Sequence, residues 1–350
     1  MPIADLWALE LLLAAFAGGA FGAAIGALPS FVLAGVFVIV GEAYKLAART
    51  FGVDAVPVDV TGSIAFGVVL GPHVAFGGGA AALAYATKQG YLESDFEYHQ
   101  AKEITRGLGS KPDVLAVGGL FGVVGYWIAT LSSSVSLPVD PVALGVVGSA
   151  LVHRVAFGYS IVGATPRQWF DMSPYERARD GHADTLADGG RRPVEPWLPY
   201  QYRWRNVLLL GLVVGVLGGY VAYLTASPFL AFGLSVVALG FLTAGVEDIP
   251  VTHHMSLPAS TAALALVDAP ASQLTPSLVA SAVPLQTALL VGAAFGVVGA
   301  LLGELLQRVL YAHAETHLDP PAASIVVTSL LVSLLAMAGV LPSAVWVPTP

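Results

Sequence analysis

The chain has no cysteine, which excludes disulfides, thiolate metal sites and cysteine nucleophiles. Charge is scarce: 11% of its 350 residues are Asp, Glu, Lys or Arg, against about 25% in a soluble domain. Lysine is the rarest basic residue, with 4 Lys beside 11 Arg, and the net charge is −8, which argues against a nucleic-acid partner. The phosphate-binding Gly-x-x-x-x-Gly-Lys-Ser/Thr loop, the zinc-hydrolase His-Glu-x-x-His and the Gly-x-Ser-x-Gly elbow are all missing. The sequence therefore points to no enzyme and implies no cofactor. The last apolar segment, 322–341, contains no Lys, so it offers no Schiff-base site for a retinal.

What is present is mostly apolar. Hydrophobic residues make up 56% of the chain and the mean hydropathy is +0.76, which places the chain in a lipid bilayer. A membrane-crossing helix needs about 20 largely apolar residues. Ten segments approach or meet that length: 7–28, 30–48, 60–87, 114–131, 141–161, 206–225, 228–246, 251–267, 285–307 and 322–341. The start of the chain lacks the basic region of a signal peptide, so 7–28 reads as a retained span. Segments 1 and 2 are parted only by Leu28-Pro29-Ser30, and segments 6 and 7 by Ala226-Ser227-Pro228. Each pair reads as a tight hairpin or one broken helix.

Basic residues orient the spans, because Lys and Arg favour cytoplasmic loops. Loop 88–113 carries Lys88, Lys102, Arg106 and Lys111, and loop 162–205 carries Arg167, Arg177, Arg179, Arg191, Arg192, Arg203 and Arg205. With these and Arg308 inside, both termini lie outside. The expected organisation is a first membrane repeat over 1–163, an Arg-rich cytoplasmic loop over 164–205, and a second membrane repeat over 206–350. In the loop, Ser173-Pro174-Tyr175-Glu176 has the form of a helix start. Trp197, Tyr200, Tyr202 and Trp204 read as an interfacial aromatic belt.

An internal duplication sets the architecture. Leu115–Gly125 matches Leu289–Gly299 at 8 of 11 positions. Asp140-Pro141 meets Asp319-Pro320, Pro29-Ser30-Phe31 falls near Ser227-Pro228-Phe229, and His73 aligns with His254. Each half holds five segments, an odd number, so two consecutive copies must insert in opposite orientations. The expected fold is thus an all-α integral membrane protein of about ten segments in two inverted five-segment repeats, with segments 3 and 8 broken. Such repeats are used by secondary transporters, which bind solute near the midplane between them.

The candidate site lies on the two irregular segments. Segment 3 is interrupted by Gly71-Pro72 and by Gly77, Gly78 and Gly79, and segment 8 by Pro258. Broken helices offer free N–H groups and the positive end of a helix dipole to a ligand. Ionisable side chains at membrane depth are costly and default to functional candidates, which singles out His73, His253 and His254, with the hydroxyls of Ser256, Ser260 and Thr261 beside them. Glu247 and Asp248 are candidates for coupling. The alternative for the histidines is a neutral, hydrogen-bonded role at helix interfaces. Adjacent histidines on a helix point about 100° apart and match no ligand spacing, so no metal site is assigned. Outside this site, Glu304 and Arg308 read as a helix ion pair. His153-Arg154 reads as reaching towards the cytoplasmic surface, Glu42 and Lys45 as the outer end of segment 2, and His313 and His317 as solvated.

Gly22–Pro29, Gly62-Ser-Ile-Ala65, Ala82–Gly90 and Ile249–Thr261 resemble the TctA-type large membrane subunit of tripartite tricarboxylate transporters. The family's Pro-Gly pairs appear here as Pro29-Ser30 and Pro258-Ala259. The resemblance implies carboxylate transport, with an extracytoplasmic binding protein as partner. The expected function is a secondary transporter of the cell membrane for a small anionic solute, with the bilayer and that solute as partners and a homo-oligomer compatible. The alternatives are a passive channel and a non-transporting scaffold subunit.

Overall fold

The computed structural model describes residues 3–51, 58–93, 96–163, 169–180 and 194–350. Among the described residues it is built from helices, without strands. Each of the ten apolar segments contributes one α-helix. In the first half these are α1 Leu9–Ile25, α2 Ala27–Phe51, α3 Ala75–Lys88, α4 Pro112–Ser134 and α5 Pro141–Ala156; a short α6, Ser173–Arg179, follows in the connecting loop. In the second half they are α7 Trp204–Thr225, α8 Leu230–Thr243, α9 His253–Leu264, α11 Leu285–Leu310 and α12 Pro320–Met337, with a short α10, Pro276–Ala282, between them. Five of the described helices, α2, α4, α7, α11 and α12, are long and apolar enough to cross a membrane. The described residues are therefore all-helical, with several helices apolar enough for a membrane protein. Arg167, Arg191 and Arg192 of the basic loop lie outside the described residues.

Local sequence explains where the helices start and stop. The Asp140 and Asp319 carboxylates accept the Val142 and Ala322 N–H groups at 2.8 Å, and Pro141 and Pro320 fill the first helical position, where no donor is needed. The break between α1 and α2 falls at Gly26, whose φ of 103° requires glycine. Pro29 sits within the first turn of α2, so the chain turns before it rather than at Leu28-Pro29-Ser30. In the second half Ala226 ends α7 with φ 52°, and the Ser227 hydroxyl accepts the Leu230 N–H at 3.0 Å to start α8. Neither pair packs as a hairpin: α1 lies mainly on α3 and α4, and α2 on α8. Segment 3 is split into a π-helical turn, Val60–Ala65, and α3, whereas α9 is continuous through Pro258.

The two halves repeat one packing scheme. α1 packs on α3 and α4 as α7 packs on α9 and α11, and α4 meets α5 as α11 meets α12. Glycines permit these close crossings. A β-carbon on Gly19 would lie 2.2 Å from the Gly118 carbonyl oxygen, and one on Gly215 would lie 2.5 Å from that of Gly292. The halves meet through α2 with α8 and α5 with α12, and both pairs run antiparallel. Gly35 abuts Val236 while Gly233 abuts Val38. The Asp140 N–H donates to Ser329 Oγ at 2.8 Å, whereas His153 Nε2 lies 3.1 Å from Thr316 Oγ1, thirteen residues earlier on the facing segment.

Several polar groups expected near water are interior. Arg154 is fully buried and donates to the carbonyls of Leu310 (2.8 Å), Thr316 (2.9 Å) and Ile161, so it ties α5 to the α11–α12 connection instead of reaching the surface. Arg308 pairs with buried Glu304 and holds the Tyr202 carbonyl at 3.0 Å and that of Phe170. Glu42 is also buried; it accepts from Thr61 at 2.7 Å, Ser227 at 2.6 Å and Lys45 at 3.0 Å. It fastens α2 to the π-turn and to the α7–α8 corner. Of the aromatics in the Trp197–Trp204 cluster only Trp204 is exposed: Tyr202 is buried, Tyr200 donates to Ile249 at 2.7 Å, and Trp197 lies 6.1 Å from His254, ring to ring.

Candidate solute site

Two cavities lie at the junction of the halves. The first, about 330 Å³, is lined by Phe31, Phe66, Phe76, Phe229, Phe232 and Trp346, with Asp140, Asp319 and His253 as its ionisable groups. The second, about 550 Å³, is lined from the connecting loops by Glu97, Lys102, Glu103, Arg179 and Trp197, and from within by Tyr311 and His317. Phe31, Phe76, His253 and Asp319 line both and form the partition between them. The rings are in mutual contact: His253 lies edge-on to Phe31 at 5.0 Å and to Phe232 at 5.7 Å, and Phe31 lies 6.0 Å from Phe76. The first cavity reaches Ser133 at the end of α4, and the second is reached by the loop that precedes α4. The 23 residues of α4 span about 34 Å at 1.5 Å per residue, so the cavities approach the partition from opposite ends of the helices.

Of the adjacent histidines, His253 faces the cavities; it is 3% exposed and its Nδ1 has no hydrogen-bond partner among the described residues. His254, about 100° further round the helix, points into the α9–α11 contact, where a β-carbon on Gly303 would lie 2.6 Å from its Nε2. His73 packs against Gly125 and Gly145 and lines neither cavity. The structure thus does not bring His73 and His254 to a shared space. Gly77, Gly78 and Gly79 are contact surfaces for Ser149, for Gly19 and Gly118, and for Gly22 and Ala27. Ser256 lies 3.1 Å from Ser235, Ser260 donates to Gly218 at 3.2 Å, and Thr261 accepts from the Trp346 indole at 2.9 Å. Glu247 and Asp248 are exposed and line neither cavity.

The irregular backbone has a use of its own. Pro258 brings no N–H to the His254 carbonyl, and in the first half Gly77 donates to Pro72 at 2.9 Å instead of to His73. Both histidine carbonyls then receive a glycine from the neighbouring helix. A β-carbon on Gly125 would lie 1.7 Å from the His73 oxygen, and one on Gly299 would lie 2.2 Å from the His254 oxygen. These are the two glycines that end the duplicated motif, so the pairing of His73 with His254 holds in three dimensions.

On the loop side, buried Lys102 forms a 2.7 Å ion pair with Glu195, which also accepts from His99. Burial pushes the Lys102 ammonium down to about 8, although Glu195 pulls in the other direction. His317, expected in solvent, is buried between Phe76 at 5.7 Å and Tyr311 at 5.4 Å. Its Nε2 lies 3.4 Å from Asp319. Lys102 and His317 were hidden by lying in loops that hydropathy assigns to water. No group of three or more His, Cys, Asp or Glu able to hold a metal occurs among the described residues.

Comparison with known proteins places this architecture in one family. The chain belongs to DUF7973, a family of unknown function, which it matches over residues 1–350. No curated protein and no solved structure matches it. Membership of DUF7973 thus covers both halves and the loop between them, and the site's chemistry has to be read from the cavities themselves.

Proposed function

We propose that this DUF7973 chain is a multi-pass secondary transporter of the cell membrane, built from two inverted five-segment repeats, that carries a small solute through the partition between the two cavities. The observation that carries this reading is the pair of cavities, approached from opposite ends of α4 and separated by Phe31, Phe76, His253 and Asp319. Alternating access needs one site, two approaches and a barrier that yields to either side. The antiparallel packing of α2 on α8 and of α5 on α12 supports inversion, because repeats related by an axis along the membrane normal would set equivalent helices parallel. Two separate cavities that share Phe31 and Phe76 in their linings favour a carrier over an open channel. A cavity between the halves favours either over a scaffold.

The tricarboxylate-transporter resemblance implies an anionic solute. The first cavity gives that class little support, since two acids and no Lys or Arg line it. Transport itself is tested in proteoliposomes by counterflow of labelled candidate solutes, cations and carboxylates alike. A carrier shows counterflow, and Phe76→Ala, which thins the partition, adds a leak that equilibrates solute without counterflow. Fast equilibration with no counterflow in the unaltered protein would assign a channel. Impermeable vesicles across the whole panel would leave the scaffold reading.

A further inference from the structure

We infer that the first cavity is a binding site for a small organic cation, an amine or quaternary ammonium group, held by Asp140 within its aromatic walls. This rests on reading that cavity as the solute site. Its volume of about 330 Å³ is at the lower end of the roughly 300–1,000 Å³ range of small-molecule sites. Six aromatic side chains, five Phe and Trp346, line it, and aromatic faces attract ammonium groups through the ring quadrupole.

The acids decide the sign of the ligand. Asp140 spends Oδ1 on the Val142 and Ala143 N–H groups, at 2.8 and 3.3 Å, and among the described residues no donor is recorded at its second oxygen. Asp319 receives Ala322 N–H at 2.8 Å and faces His317 at 3.4 Å, longer than a strong charge-assisted bond. The third ionisable group, His253, is buried with an unpartnered ring nitrogen, and a neutral imidazole can accept from an amine N–H. An anion would meet two carboxylates with no Lys or Arg in the lining. A wholly apolar solute would leave the second oxygen of Asp140 stripped of water without compensation. An organic cation satisfies Asp140 and the rings together, while Asp319, ten residues from Ser329 and so about 15 Å away along α12, adds to the negative potential of the cavity.

The test is equilibrium binding to the full chain in lipid nanodiscs, followed by intrinsic tryptophan fluorescence. The ligands are tetramethylammonium, choline, its neutral carbon isostere 3,3-dimethylbutan-1-ol, and citrate. Both cations are expected to bind and to do so at least about tenfold more tightly than the isostere, a difference of roughly 1.4 kcal/mol. Asp140→Asn should abolish that preference while leaving the fold intact, because Asn caps a helix about as well as Asp. Equal binding of choline and its isostere would overturn the inference in favour of an apolar site. Citrate binding without cation binding, or no response to any ligand, would overturn it too. The ligand comparison on the unaltered chain stands even if the variant misfolds. Cation binding without counterflow would refute transport and keep the site, whereas counterflow of another solute without cation binding would do the reverse.

Discussion

Replacing Gly125 by Ala tests the link between the duplicated sequence motif and the histidine carbonyls. The new methyl carbon would fall 1.7 Å from the His73 oxygen, whereas a carbon and a carbonyl oxygen rest at about 3.3–3.6 Å. The obstacle is backbone, so α3 and α4 must separate by roughly 1.5–2 Å, and no rotamer change can relieve the contact. Overpacking of this kind costs about 1–3 kcal/mol. Helix propensity returns at most about 1 kcal/mol on changing Gly to Ala. A 1.7 Å approach to backbone puts the cost at the upper end of that range, so the net expectation is a loss of roughly 2 kcal/mol, read as a lower midpoint of thermal unfolding in detergent. Gly299→Ala, with its 2.2 Å approach to the His254 oxygen, should lose stability in the same way. Gly240→Ala is the contrast: its nearest neighbour is a Val32 methyl at 3.5 Å, so the propensity term stands alone and the midpoint should hold or rise. If Gly125→Ala matches the parent, or if Gly240→Ala falls as far, the close-approach argument is refuted.

Glu42→Ala removes the acceptor of two buried hydroxyls, Thr61 and Ser227, each costing about 1–3 kcal/mol when left unpaired; a stability loss of roughly 2–6 kcal/mol in the same unfolding assay is expected, and a neutral variant would show the network to be dispensable. Lys102 has a folded pKa of about 8 against 10.5. Between those values the unfolded chain holds the extra proton, so the contribution of Lys102 to stability rises with pH across that window. The unfolding midpoint of the parent relative to Lys102→Met should therefore increase from pH 7.5 to pH 10, and a decrease would refute the assignment.

The helices were legible because lipid imposes a length and an apolar composition that a sequence cannot hide. Asp140-Pro141 and Asp319-Pro320 marked the starts of α5 and α12 through capping chemistry that is entirely local. The same residues were not legible as a site, because a cap's second oxygen reveals its direction only once the opposite half is in place. The His253–His254 pair was found, but which of them faces the cavity depends on the rotation of α9 about its axis. Periodicity could not fix that rotation, since every residue of α9 is buried. Lys102 and His317 were missed because a loop folded inward between two helical clusters has the composition of a loop in water. The aromatic walls were missed for a related reason: Phe31 and Phe229 belong to different halves, and a phenylalanine in an apolar run carries no signal of the partner it will meet.

The antiparallel seam between α2 and α8 has an energetic consequence. Were the two halves identical, exchanging their roles would give an equally stable molecule, and neither arrangement would be preferred. Any resting preference must therefore come from positions where the copies differ. The seam itself is nearly even, with glycine against valine on both sides. The imbalance lies outside that seam: with Asp319 set on Asp140, His317 of the second half falls on Pro138 of the first, and the Lys102–Glu195 pair joins a first-half loop to the central connection. If the chain alternates as proposed, its bias is set by a few unmatched side chains, and changing one of them shifts the balance without touching the cavities.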